Sequence, residues 1–274
     1  MTKDKSINDN IQDWLKKKGF PFELKCARTF VEHGFRIQHS VHYTDPEIQN
    51  YREIDLIAFK GILINDFSFN ITLVLECKTS DIPWIVFSNI PGYTQTELHR
   101  NILISENGKT LLSNLDANDK TNFTFSLLND ELVGFNFVQM KDKSNDKDHA
   151  YEALIQSSKA AAALVEQSNK STLKFCNIYI PVVIVDKNLF SVFDEKESFE
   201  LQTEEIKFCK FGKRYAFHER SLIMHHLVSG TYLDEYCKKI SLEIDAFFNK
   251  YHEQIKHIAE NNPSNSSEGK YSFI

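Results

Sequence analysis

The chain has 274 residues, of which 42% are hydrophobic and 26% charged, enough for one large core or two small ones in an ordinary globular protein. Its net charge of -6 argues mildly against a protein that coats nucleic acid. No run approaches the roughly 18 apolar residues of a membrane span, the opening Met1 to Lys5 lacks an apolar signal core, and the five widely spaced cysteines form no CxxC pair. A cytoplasmic protein with reduced, mostly buried thiols is therefore expected, with no membrane partner.

Residues 7–18 predict a short helix, with Ile7, Ile11, Trp14 and Leu15 at helical spacing, ending in Lys16-Lys17-Lys18 and Gly19. A second helix opens at Pro21, carries Glu23 in its first turn along with Leu24, Ala27, Phe30 and Val31, and closes at Gly34. Residues 35–43 alternate as a strand, and Asp45-Pro46 marks a turn. The next strand, 53–59, embeds Asp55 among apolar neighbours, where Asp is disfavoured and needs a cation or donors nearby. The run 71–78 is apolar and β-branched, yet it ends on Glu76 and Lys78, two residues apart and so on one face of the strand. A meander pairing these strands would bring Asp55 near Glu76.

Residues 79–147 read as an insertion with a small β element of its own: 102–104, 123–125 and 133–138 are its candidate strands, and 141–148 is a charged loop. The helix 149–167 is alanine-rich, with Tyr151, Ile155, Ala162 and Val165 as its inward stripe and Glu152, Gln156 and Lys159 on another face. The apolar strand 175–185 and the strand 190–193 suggest a hairpin. A basic-aromatic stretch follows at 207–220, then one or two helices over 219–260, holding Leu222, Ile223, His226 and Leu227 in the first part. The tail 261–274 is rich in Asn and Ser and is expected to be mobile. His225-His226 lacks a partner at metal spacing and reads as packing.

The sequence Glu23 on a helix, Asp55 on a strand, Glu76-x-Lys78 on the next strand, then Gln156 on the following helix resembles the PD-(D/E)xK nuclease superfamily. Residue 54 is Ile where the family name puts a Pro, and the long insertion before Gln156 is unusual for compact members. The resemblance covers about residues 19–78 and 149–193. It implies an α/β protein with a restriction-endonuclease-like core, a central mixed sheet flanked by helices, a β-containing insertion and a C-terminal helical segment, all in one domain over residues 1–260. It implies hydrolysis of phosphodiester bonds, with DNA the expected substrate in restriction, repair or phage defence. Mg²⁺, with Mn²⁺ as a substitute, would be held by Asp55, Glu76, the Cys77 backbone carbonyl and Glu23, because Mg²⁺ takes hard oxygen ligands. Lys78 would orient or deprotonate the attacking water, and Gln156 would be the polar residue of the following helix.

Lys16, Lys17, Lys25 and Arg28 lie close to Glu23 in sequence, and Lys210, Lys213 and Arg214 sit among aromatics; these are the candidate nucleic-acid contacts. For the stretch 207–220, a solvated face is the commoner reading. The helix 231–260 is a core helix by default and a homodimer interface as the alternative. The rival to an enzyme is a silent nuclease-like fold that binds nucleic acid or protein, its charges a structural ion-pair network. A metal-dependent phosphoesterase acting on nucleotides is a third reading.

Overall fold

The computed structural model describes residues 6–17, 19–64, 67–88, 103–118, 133–140, 148–171, 174–194, 200–215 and 223–261. Among the described residues, five helices and eleven strands make an α/β protein built on one mixed sheet. The chain opens with α1 (Ile7–Lys17) and α2 (Phe20–Glu32). Gly19 between them takes a left-handed φ of 81°, a conformation that costs glycine little and that turns the chain sharply enough to start α2 at once. Then come β1 (Arg36–Thr44), β2 (Tyr51–Ile64) and β3 (Phe67–Lys78), an antiparallel meander as expected. They are followed by β4 (Trp84–Ser88), β5 (Leu103–Ile104), α3 (Glu106–Asn118) and β6 (Val133–Gln139). The crossover helix α4 (His149–Lys170) leads to β7 (Lys174–Val185). The chain continues through β8 (Leu189–Asp194), β9 (Leu201–Glu205), β10 (Phe208–Lys213) and β11 (Ile223–Ser229) to α5 (Leu233–Asn261).

The strand order is β1-β2-β3-β7-β11-β10-β6-β4-β8-β9, with β5 pairing β7 beside it. β3 and β7 are parallel along twelve residues, Phe67 facing Lys174 and Lys78 facing Val185. Parallel central strands must be covered on both faces, and these are. Leu73, Leu75, Ile178, Ile180 and Val182 pack one face against Phe22, Cys26 and Phe30 of α2 and Tyr236, Ile240, Ile244 and Phe248 of α5. On the other face Val74 and Tyr179 meet Ala160, Ala161 and Leu164 of α4. Farther along, Trp84, Val86, Phe137, Phe211 and Leu227 form a second core with Val183 and Ala150, Ala153 and Leu154 of α4. Glu76 and Lys78 share parity with Val74, so they stand on the α4 side of the sheet.

Several expectations change. β8 forms no hairpin with β7: it pairs β4 in parallel and β9 antiparallel, at the far end of the sheet, because β4 offers a partner that sequence proximity does not reveal. β4 and β6 join the main sheet instead of forming a separate β element. Residues 223–229 form strand β11, buried at every position, where a helix was expected. A strand covered on both faces loses the alternation that distinguishes it from a helix. The inward positions of α4 are Ala150, Ala153, Leu154, Ser157, Ser158, Ala160, Ala161 and Leu164, while Tyr151 is exposed and Ile155, Ala162 and Val165 only half-buried. Its buried serines satisfy themselves on the preceding turn, Ser157 Oγ donating to the Ala153 carbonyl and Ser158 Oγ to the Leu154 carbonyl, so polar residues enter the core at little cost. The expected strand 123–125, the loop 141–147 and the tail 262–274 lie outside the described residues.

Candidate active site

Four charged residues converge at one end of the sheet. The β2–β3 register pairs Leu56 with Leu75, so the next step sets Asp55 opposite Glu76. Asp55 sits where the β1–β2 ladder breaks: His39 pairs Leu56 and Val41 pairs Ile54, while the intervening Ser40 takes a left-handed φ of 51° and drops out. The Cys77 N–H donates to Asp55 Oδ2 at 2.8 Å. In a strand the N–H and C=O of one residue face the same neighbour, so the Cys77 carbonyl also turns toward β2 and Asp55. The Lys78 carbonyl turns the other way and accepts from the Asp186 N–H at 3.0 Å. Lys78 Nζ donates to Glu76 Oε1. Glu23 enters from the first turn of α2, and its carboxyl feels both Asp55 and Lys78.

The electrostatics follow from burial and crowding. Burial pushes the Glu76 carboxyl up to about 7; Lys78 works against this, and Asp55 and Glu23 reinforce it. Burial likewise raises Asp55, with Lys78 and the Cys77 N–H opposing. Glu23 is raised by burial and by Asp55. Burial disfavours the Lys78 ammonium, but Glu76 and Asp55 outweigh it and hold the group above its ordinary value. Glu76 is 1% exposed, and among the described residues its Oε2 accepts no hydrogen bond. An orphaned buried carboxylate oxygen costs free energy unless a proton or a cation meets it. The donor set is all hard oxygen, the chemistry that suits Mg²⁺ or Mn²⁺. Among the described residues, however, no three carboxylate, imidazole or thiol groups already stand around a common point as a metal cage would require. As arranged, the Lys78 ammonium is the cation that Glu76 meets.

Gln156 lies on α4 one turn before Ala160, and its backbone carbonyl accepts from Tyr43 Oη at 3.5 Å. Burial and then Asp45 raise the Tyr43 phenol, and the Glu76 carboxylate adds to this; Tyr43 pairs Arg52 on β2, three residues before Asp55. Lys25 and Arg28 are exposed on α2. Lys16 and Lys17 fall in α1, with side chains outside the described residues. Lys210 is buried at 3% exposure, which removes it from any surface that could meet a phosphate. Lys213 lies half-buried over the Tyr151 ring, 4.2 Å from its centroid, and Arg214 is exposed. His225 and His226 are core residues, one bonded to Ser158 and the other to Tyr236.

A group that the charge pattern did not flag lies beside the cluster. Asp45 is fully buried and accepts from Lys159 Nζ at 3.0 Å, Arg52 Nε at 2.9 Å and the Glu47 N–H at 2.9 Å. Lys159 also meets Glu47 at 2.6 Å. This knot ties the β1–β2 turn to α4 and floors a cleft of about 490 Å³. The only hint in the sequence is the polar face Glu152, Gln156 and Lys159, all three of which line the cleft. No protein-family model matches the chain, and no curated protein or solved structure shows significant similarity to it.

Proposed function

We propose that the protein is a metal-dependent nuclease that hydrolyses phosphodiester bonds, with DNA as the first substrate to test. The observation that carries this reading is the buried Glu76 with an unpartnered oxygen, opposite Asp55 and bonded to Lys78, at the carboxyl end of a central strand. The wider topology supports it: a helix bearing Glu23, an antiparallel meander bearing Asp55 and Glu76, a crossover helix bearing Gln156, and a strand parallel to β3 follow the order of the PD-(D/E)xK core.

The residues divide the work as follows. Asp55, Glu76 and the Cys77 carbonyl would hold the cation at the end of the β2–β3 pair, with Glu23 approaching from α2. A divalent cation held there would supply charge stabilisation for the scissile phosphate. Once released from Glu76, the Lys78 ammonium is free to hold the attacking water or to offset charge on the phosphate. Asp55 stays fixed through the Cys77 N–H.

A second reading, a silent fold that binds nucleic acid or protein, is favoured by the closed Glu76–Lys78 pair and by the lack of a ready three-ligand cage among the described residues. The deciding experiment is cleavage of circular and linear DNA, single-stranded DNA and RNA with Mg²⁺, Mn²⁺ or EDTA, using wild type and the Glu76→Ala/Lys78→Ala double variant. Metal-dependent cutting that the double variant lacks is the expected result. Equal cutting by both proteins overturns the site assignment. No cutting, together with calorimetric metal binding that Asp55→Ala leaves unchanged, selects the silent reading.

A further inference from the structure

The cleft beside the carboxylate cluster has the walls of a ligand site and a charge balance that identifies which part of a nucleotide it would take. Its volume of about 490 Å³ falls in the range of about 300–1,000 Å³ usual for small-molecule sites. Its flat and apolar surfaces come from Tyr43, Tyr151 and Ile155. The Tyr151 side chain is 42% exposed, and the Lys213 ammonium lies over its ring. Gln156 supplies an amide that both donates and accepts, and among the described residues nothing bonds to that side chain. An unspent amide next to aromatic surface is the pairing that reads the edge of a base while its face stacks.

Charge decides against a phosphate. Among the described residues, Asp45, Asp148 and Glu152 line the cleft with Arg52 and Lys159, and the Lys213 ammonium stands outside this lining, over the Tyr151 ring. Both cations are committed to Asp45, and Lys159 to Glu47 as well. Lining cations already bonded to carboxylates give a phosphate little to bind, while a neutral ring needs none.

We propose that this cleft is a nucleobase pocket, and that the substrate reaching the cluster is a nucleic-acid strand unpaired at that point. A base inside a duplex cannot enter such a pocket without leaving its stack, which costs a few kcal/mol and favours single strands. The proposal deepens the nuclease reading and rests on it only for the identity of the neighbouring reaction. Tyr43 joins the two along the sheet: it lines the cleft and pairs Arg52, three residues before Asp55 on β2, so a strand with a base seated in the cleft would lie within a few residues' length of the cluster.

The test is equilibrium binding in EDTA, where nothing is cut, using short fluorescent oligonucleotides: single-stranded DNA, single-stranded RNA and duplex DNA. Wild type, Tyr151→Leu and Tyr151→Phe are compared, and Tyr151 is exposed enough for each variant to fold. Wild type is expected to prefer single strands. Tyr151→Leu should weaken single-strand binding by about 5- to 150-fold, the equivalent of about 1–3 kcal/mol for one stacked base, with duplex binding unchanged. Tyr151→Phe should restore it. The DNA and RNA arms show which sugar the strand carries. A preference for duplex, or equal single-strand binding by wild type and Tyr151→Leu, overturns the pocket. If Tyr151→Leu loses single-strand binding but wild type cuts nothing with Mg²⁺ or Mn²⁺, the nuclease reading fails and the pocket stands. If wild type cuts and Tyr151→Leu changes nothing, the reverse holds.

Discussion

Glu76 should make the metal-free protein less stable as pH rises, and Glu76→Gln should remove that loss. The carboxyl is raised from 4.5 to about 7, chiefly by burial. A raised folded value means that the unfolded chain gives up its proton first. Stability is therefore full below about 4.5 and falls as pH climbs through 7. The displacement is worth about 3 kcal/mol at about 1.36 kcal/mol per pH unit, and linkage places about 2.5 kcal/mol of it between pH 5 and pH 8. The side chain is 2% exposed, so solvent screening does little to reduce this. Urea unfolding of both proteins in EDTA at pH 5 and pH 8 isolates the term, because titrations common to both cancel in the difference. Glu76→Gln should gain about 2.5 kcal/mol on wild type between the two pH values. Mg²⁺ at pH 8 should then stabilise wild type more than the variant, since only wild type offers the second carboxylate. Parallel stability profiles in EDTA would refute the argument, showing that Glu76 is not held against its charge.

Three further outcomes test the frame around the site. His225 is wholly buried, which pushes its imidazole down to about 4, so its contribution is intact above pH 6.5 and lost as pH falls toward 4; the stability of His225→Gln should fall less steeply than wild type between pH 6 and pH 4 in urea titrations. Asp45→Ala takes one of two carboxylates from Lys159, removes the partner of Arg52 and frees the β1–β2 turn, so calorimetry should show a loss of about 1–3 kcal/mol, with Glu47 still holding Lys159. Gly61→Ala would place a methyl 2.1 Å from the Phe69 carbonyl oxygen on β3, and the β2–β3 pair should lose about 1–3 kcal/mol or more by urea unfolding.

What could be read in the sequence, and what could not, divides along a physical line. Asp55 and Glu76-x-Lys78 stand out because full charges in apolar strands are costly and rarely placed there without a partner. The meander and the crossover helix follow from short connections between neighbouring elements. The misreadings fall where burial on both faces or long-range pairing decides. β11 presents seven buried residues with no alternation, and β8 leaves a tight turn at 186–188 only to pair with β4, about a hundred residues earlier in the chain. Helix α3 carries too little apolar periodicity to show itself. Lys159 reads only as part of a face shared with Glu152 and Gln156, because its partners, Asp45 and Glu47, lie more than a hundred residues away. The cleft is built from that same long-range knot, so only its α4 wall was legible.

The closed Glu76–Lys78 pair speaks for the silent reading, but what the pair leaves unsatisfied speaks for the catalytic one. In a silent fold the pair would be the end state, yet it leaves Glu76 Oε2 orphaned and its carboxyl near half-protonation at neutral pH. A purely structural network gains nothing from that arrangement: an apolar pair of similar volume would be as stable or more so. For a cation site the same features follow from function. The orphaned oxygen and the crowded carboxylates hold free energy that a divalent ion would recover on binding, and Lys78 would keep the cluster folded until it did. The cost is local, lies at the end of a central strand, and involves groups suited to one kind of ligand, which would be the pattern of a site.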